Sequence, residues 1–147
     1  MQSRPLDGDR GRQTTLADVE EAIASRWWRK DAALEIGGLA KEPLGTWAGF
    51  AVVRVDSEWI RDNLDTTFGT GGHGLVHTFI PLKEIWIDPV KEQPSTLIFH
   101  EIVEFTIMME GGMSYWVAHQ LALRRQAGRV ITLTNLELHL NSALGGR

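Results

Sequence analysis

The chain has 147 residues, of which 43% are hydrophobic and 23% are charged, and its formal net charge is -4. These values are ordinary for one globular domain, and the weakly acidic balance provides no basic face for nucleic acid. There is no cysteine, which excludes disulfides and thiolate metal sites and leaves nitrogen and oxygen as the ligands of any zinc. We expect neither a nucleic-acid nor a membrane partner, because no apolar run approaches the roughly 18–20 residues that span a bilayer.

The N-terminal region is predicted to contain a polar arm followed by a helix. Residues 1–14 lack the apolar content to order by themselves, so we expect them to pack on neighbouring protein chains. From Thr15 onward, apolar residues recur at helical spacing and predict a helix that stops near Gly37 and Gly38. No apolar segment follows the basic residues of the arm, as it would in a secretory signal, and we therefore expect synthesis in the cytoplasm.

The next part of the chain predicts a first strand. Residues 47–55 are rich in β-branched and aromatic side chains and read as a strand. Pro43 and Gly45, just before it, indicate a loop. Residues 57–64 predict a short helix or a turn.

A glycine-rich stretch follows, and then two more short strands are predicted. The glycines within residues 69–74 should interrupt regular structure. Residues 75–80 and 84–88 predict strands joined at Pro81.

Two helices are predicted near the C-terminal end. Residues 96–111 form a long apolar segment preceded by a capping sequence at 94–96 and ended by glycines at 111 and 112. Residues 114–127 predict a second helix, which Ser114 caps and Gly128 ends.

The last segment fits two kinds of element, and the order of all elements indicates the fold class. Residues 130–140 alternate as a strand does, with a short amphipathic helix as the alternative, and residues 141–147 are expected to be a small-residue tail. Helix, strands and then two helices predict an α+β fold. We expect a single domain over residues 15–140, in which a small mixed sheet packs with the N-terminal helix and an antiparallel C-terminal helix pair.

The stretch HEIVEFTIMMEGGMSYWVAHQ carries the most specific chemical signal. His100 and Glu104 are four residues apart, so a helix places both on one face. The following helix would return His119 toward them after the Gly-Gly turn. Two imidazoles and one carboxylate are a ligand set of catalytic zinc sites, which keep a fourth position open. We therefore predict that His100, Glu104 and His119 bind one zinc ion.

Two further residues are candidates for catalysis at this site. Glu101 lies about 100° around the helix from His100, where it can border the metal without coordinating it and act as a general base. Tyr115 precedes His119 by one helical turn and is our candidate hydrogen-bond donor to a developing oxyanion.

Burial favours the metal interpretation over a purely structural one. The helix around these residues is apolar on nearly all sides, and such a helix is buried. An unpaired buried carboxylate costs several kcal/mol, which a divalent cation would offset. The alternative is a set of paired ionisable groups that holds no metal.

The same stretch resembles the zincin metallopeptidases, whose active-site helix carries His-Glu-x-x-His with the Glu as base. It is most similar to the gluzincin branch, in which a later helix supplies a carboxylate ligand. The resemblance implies a zincin-like fold, with His100 as the first zinc ligand and Glu101 as the base. Here Glu104 stands in place of the second His and His119 in place of the later carboxylate, so this HExxE variant keeps the same ligand set.

Other ionisable residues are given less specific roles. We expect His73 to be a loop residue and His77 a half-buried strand residue, with a second metal or a substrate contact as the alternative. Asp88 and Glu110 are expected to support the site from behind the ligands or to lie at the surface. His139 is expected in a strand or the tail.

Two functions are consistent with these patterns. The first is a zinc-dependent hydrolase acting on a peptide or protein substrate, which an extended strand beside the site could bind by β-augmentation. The second is a non-catalytic zincin-like component of a virion, a phage-like particle or another large assembly, held to its neighbours through residues 1–14.

Overall fold

The structure, a computed structural model, describes residues 39–145, where a mixed α+β fold is built from a four-stranded sheet and four helices. This confirms the predicted class. The predicted arm, the N-terminal helix and residues 146–147 lie outside the described residues. The elements are β1 (Lys41–Trp47), β2 (Phe50–Val55), α1 (Ser57–Asn63), β3 (Gly71–His73), β4 (Glu84–Ile87), α2 (Pro94–Gly111), α3 (Tyr115–Gln126) and α4 (Leu136–Ala143).

The sheet is mixed and has the order β1-β2-β4-β3. β2 is parallel to β4, whereas the β1–β2 and β3–β4 pairs are antiparallel. α2 packs against the sheet and against α3 and α4, and most of its side chains are buried. None of the helices within residues 39–145 is long and apolar enough to cross a membrane.

The predicted single strand over residues 47–55 is a hairpin, so that prediction was wrong in extent. Ala48 and Gly49 both have positive φ, 50° and 83°, which is the backbone of a two-residue turn that matches the twist of paired strands. The predicted loop at Pro43 and Gly45 lies inside β1, where the register shifts between them. Proline is tolerated there because β1 is an outer strand of the sheet formed by residues 39–145.

The predicted strand over residues 75–80 was also wrong, since β3 forms from the glycine-rich stretch before it. β3 passes so close to other side chains that a Cβ added at Gly71 or Gly72 would crowd them. A Cβ on Gly71 would lie 3.0 Å from Glu101 Oε2, and one on Gly72 would lie 2.8 Å from His77 Cδ2. Residues 74–80 form turns whose apolar side chains fill the core. The predicted strand at 84–88 is confirmed as β4.

This close packing predicts a marked effect of a single methyl group. Gly72→Ala is expected to destabilise the protein by about 1–3 kcal/mol, because the new Cβ meets two buried rings, His77 and Phe68. Gly69→Ala is the matched control, since no atom lies within 4 Å of a Cβ there. Urea unfolding of both variants measures the difference. Equal midpoints for the two would contradict the prediction.

The capping of α2 differs from the prediction, whereas its end is as expected. The helix begins at Pro94, and its N-cap, Gln93, makes no side-chain cap. Ser95 instead donates a 2.7 Å hydrogen bond to the carbonyl of Ile131, tying α2 to the segment after α3. Gly112 ends the helix in the left-handed conformation, as the Gly-Gly pair predicted.

The last two helices correspond partly to prediction. Ser114 caps α3 by accepting a hydrogen bond from the amide of Val117, as expected. The predicted strand at 130–140 is wrong, because residues from Leu136 onward form α4. Leu136 and Leu140 are four apart and both buried, so they form the apolar face of a short amphipathic helix. His139 therefore lies on a helix, where its Nδ1 accepts from Arg129 at 2.9 Å.

Candidate metal centre

The structure brings together the three side chains that the sequence predicts as ligands. His100 Nε2 lies 3.1 Å from Glu104 Oε2, and His119 Nδ1 lies 2.9 Å from the same oxygen. The two ring nitrogens are 3.0 Å apart. His100 and Glu104 project from one face of α2, and His119 projects toward them from α3. These buried His and Glu groups can bind a metal ion.

Protons alone cannot satisfy this triangle of atoms. A ring nitrogen carries either one proton or one lone pair in the ring plane, so it can donate or accept but not both. At most two of the three contacts can therefore be hydrogen bonds, whichever protonation state is chosen. A single cation between the three atoms would interact favourably with all of them.

The size of the triangle also fits a small cation. Zinc binds nitrogen and oxygen at about 2.0–2.1 Å, which places the ligand atoms of a tetrahedral site roughly 3.3–3.4 Å apart. The observed separations of 2.9–3.1 Å are within a few tenths of an ångström of that value. The three atoms thus need only a small outward adjustment to hold such an ion.

The cluster opens into a cleft of about 800 Å³. The side chain of His119 is 29% exposed, whereas that of Glu104 is 3% exposed, so the accessible side of the cluster is at His119. Tyr115 lines this cleft, with its ring 5.6 Å from that of His119. Trp116 stacks on the same imidazole at 6.2 Å. A metal in the cluster would have an open side toward a substrate.

Glu104 has a third imidazole partner, His73, which the sequence placed in a loop with no defined role. That expectation was wrong: His73 lies on β3, is fully buried, and its Nε2 is 2.8 Å from Glu104 Oε1. Its ring nitrogen Nδ1 accepts a 3.3 Å hydrogen bond from the amide of Leu75. Each oxygen of Glu104 therefore has its own set of imidazole neighbours.

These contacts determine the protonation of the cluster. Burial would raise the pKa of Glu104, but the hydrogen bonds from three imidazoles lower it well below its usual range. For His100, burial would lower the pKa, but the hydrogen bond to Glu104 and the charge of Glu101 raise it to about 9. Glu104 is thus the ionised residue around which the imidazoles gather.

Glu101 is in a different state from Glu104. It is buried beside β3, with its carboxylate close to the backbone of Gly71. Burial and the nearby negative charge of Glu104 raise its pKa to about 8. One of its oxygens lies within 4.8 Å of a Glu104 oxygen. Glu101 therefore borders the cluster as a group that exchanges a proton near neutral pH.

The remaining candidates take structural positions. His77 is in a turn, not a strand, and is buried with its Nδ1 2.9 Å from Asp65 Oδ2. Asp88 does not support the cluster, because its Oδ2 accepts hydrogen bonds from the amide and hydroxyl of Ser57 at 2.8 and 2.7 Å. Glu110 is exposed near the end of α2, in agreement with the surface role expected for it.

Comparison with protein-family models, with curated proteins and with solved structures gave no match. The functional interpretation of this chain therefore depends on the geometry of its own residues.

Proposed function

We propose that this protein is a zinc-dependent hydrolase of peptide-like bonds, with a zincin-like site of the gluzincin type. The observation that carries the proposal is the triangle of His100, Glu104 and His119, which protons cannot satisfy and one cation can. The donor set favours zinc, because two imidazoles and a carboxylate with an open fourth position are typical of catalytic zinc sites. The cleft beside His119 supplies that open position.

The two buried glutamates have different roles in the proposed chemistry: Glu104 binds the metal, and Glu101 transfers protons. Zinc held here would act as a Lewis acid toward a carbonyl group and toward water, whose pKa it lowers. Glu101 accepts the proton of the attacking water and can pass it to the leaving nitrogen. Its position suits this exchange, since Glu101 lies beside the cluster but outside the triangle of ligands. Tyr115, from the same cleft, is proposed to donate a hydrogen bond to the developing oxyanion.

The position of β3 supports a peptide or protein substrate. β3 is an outer strand of the sheet within the described residues, and Gly71 and Gly72 line the cleft. The amide of Asp88 donates to the carbonyl of Thr70, so the alternation of an antiparallel pair turns the peptide groups of Gly71 away from β4. An extended substrate can pair with these groups by β-augmentation and lie across the cluster.

Metal content tests the proposal directly. The purified wild-type protein is expected to hold about one zinc per chain by elemental analysis, and His100→Ala and His119→Ala are expected to lose most of it, because two ligands cannot retain the ion. His139→Ala is the matched control. His139 lies on α4, where it accepts a hydrogen bond from Arg129, and it does not contact the cluster. It should keep the wild-type zinc content.

Two results would contradict the proposal. Stoichiometric zinc in both ligand variants would show that the metal is bound elsewhere. Zinc bound as expected, but no hydrolysis of any peptide substrate, would favour the alternative function as a structural component of a larger assembly.

A further inference from the structure

We infer that His73 is a positioning residue that fixes Glu104 as a one-oxygen ligand and limits the centre to a single metal ion. This inference depends on the proposed function, because it assigns a role within the same site. It also gives a function to the Gly-Gly-His sequence of β3, which the motif on α2 does not include.

The tautomer of His73 is set by the backbone. The amide of Leu75 points at Nδ1 at 3.3 Å, so Nδ1 must present its lone pair. A ring that keeps a lone pair on Nδ1 is neutral. Since a neutral imidazole carries one proton, that proton is on Nε2 and is donated to Glu104 Oε1 at 2.8 Å.

This hydrogen bond gives the two oxygens of Glu104 different roles, one as a hydrogen-bond acceptor and the other as the metal ligand. Oε1 is occupied by His73, whereas Oε2 is the oxygen that lies 3.1 Å from His100 and 2.9 Å from His119. The carboxylate is thereby held in one rotation, with Oε2 directed at the metal position. Partners of this kind, which orient a ligand from behind, typically change metal affinity by about 10–100-fold when removed.

The same proton excludes a second ion beside the first. His73, Glu101 and Glu104 offer ligand atoms within 4.8 Å of one another, which is close enough for a second metal site. Coordination would need a lone pair on His73 Nε2, but that nitrogen carries the donated proton. Glu101 is thus left free of metal, as a base must be.

The support of His73 is rigid. The residue is fully buried at the end of β3, which is paired with β4, and its ring meets the edge of Phe105 at 5.4 Å. The sheet therefore holds the orienting group, while the helices α2 and α3 hold the ligands. A change in how β3 packs on α2 would therefore alter the orientation of the Glu104 carboxylate through this one hydrogen bond.

Two substitutions at His73 separate hydrogen bonding from packing. His73→Gln keeps an N–H donor close to the position of Nε2, whereas His73→Met keeps an apolar volume and removes the donor. Zinc affinity of the intact protein is measured by competition with a chromophoric chelator. We expect His73→Met to weaken zinc binding by about 10–100-fold, and His73→Gln to stay within about threefold of wild type. His77→Gln, at a buried histidine that bonds to Asp65 and not to Glu104, is the control for changes in this loop.

A cobalt-loaded form gives a second readout that packing alone would not change. The visible absorption of cobalt reports the number and arrangement of its ligands, so wild type and His73→Gln should share one spectrum and His73→Met should differ. If the methionine variant does not fold, the number of metal ions bound per chain still tests the inference. One ion per chain is expected in the wild-type and His73→Gln proteins.

The outcomes distinguish this inference from the function on which it rests. Wild-type protein that binds no zinc would overturn both. Wild type that binds one zinc, together with a His73→Met variant that binds it as tightly, would overturn the role of His73 alone. Equal loss in the Met and Gln variants, or two ions per chain in wild type, would also overturn it.

Discussion

Replacing Glu101 with glutamine is expected to reduce turnover by about 10²–10⁴-fold while the protein keeps its zinc. Glutamine preserves the shape of the side chain but cannot accept a proton. Zinc is retained because Glu101 lies outside the triangle of His100, Glu104 and His119. Steady-state kinetics on a peptide substrate, with zinc measured on the same samples, test both halves of the prediction.

The glutamate at position 92 offers a matched control for charge in the cleft. Glu92 lines the same cleft but is exposed, and its charge is the smallest of the effects that shift the pKa of Glu101, so Glu92→Gln removes one negative charge while leaving the buried side chains in place. It should change turnover only a few-fold. Full activity in Glu101→Gln would exclude the base role. If no peptide, cell-wall or self-cleavage activity is found in wild type, and Glu101→Gln leaves the biological function intact, the structural alternative is correct.

The metal cluster could be predicted from sequence because its geometry is mostly local. His100 and Glu104 are fixed relative to each other by one turn of helix, whatever the rest of the fold does. His119 needs only a short turn, which Gly112 and the Ser114 cap specify. The apolar residues around the motif also predicted correctly that the helix is buried.

The role of His73 could not be predicted, because it depends on contacts distant in the sequence. His73 meets Glu104 across 31 residues, through a strand that exists only when paired with β4. Because glycine has a low propensity for helices and strands, Gly71 and Gly72 predicted a break in regular structure. In the fold, the same glycines are what permits β3 to lie against Glu101 and His77. The Gly-Gly-His sequence alone therefore does not predict the contact of His73 with Glu104, because that contact depends on side chains from distant parts of the chain.

The errors elsewhere have the same physical origin. Alternation in residues 130–140 fits a strand, but Leu136 and Leu140 are buried as one face of a helix that packs on α2, so packing overrides the pattern. The β1–β2 hairpin was missed because its turn, Ala48–Gly49, lacks the usual Asn-Gly sequence. Proline at 43 argued against a strand, yet an outer strand has one side on which no hydrogen bond is needed.

The metal-free protein is expected to lose stability as the pH rises from about 5 to 9. Glu101 has a pKa of about 8 in the fold against 4.5 ordinarily, so the folded state holds more protons between these values and loses stability as pH rises. His100, raised from 6.5 to about 9, contributes stability that is fully present below 6.5 and is lost as pH rises through 9. The two groups act in the same direction. Each unit of pKa shift corresponds to about 1.4 kcal/mol, and the total loss should be on the order of several kcal/mol.

Zinc is expected to offset the His100 part of this dependence. The ion competes with the proton on His100, so its affinity should rise by about tenfold per pH unit below pH 9. Its binding free energy adds to folding stability, and the zinc-dependent increase in melting temperature should therefore be small near pH 5.5 and large near pH 8.5. Calorimetry of chelator-treated and zinc-loaded protein across this range measures both curves.

Glu101→Gln separates the two sources of the pH dependence. The variant removes the buried carboxylate, so its metal-free form should be more stable than wild type at pH 8 and equally stable near pH 4.5. Only a reduced His100 part of the slope should remain, because the charge of Glu101 helps to raise the pKa of His100. A gain in stability on removing Glu101 would mean that burying this carboxylate lowers the stability of the fold, as is common for residues kept for activity. A metal-free wild type whose stability stays level or increases between pH 6 and 9 would contradict the raised pKa of Glu101.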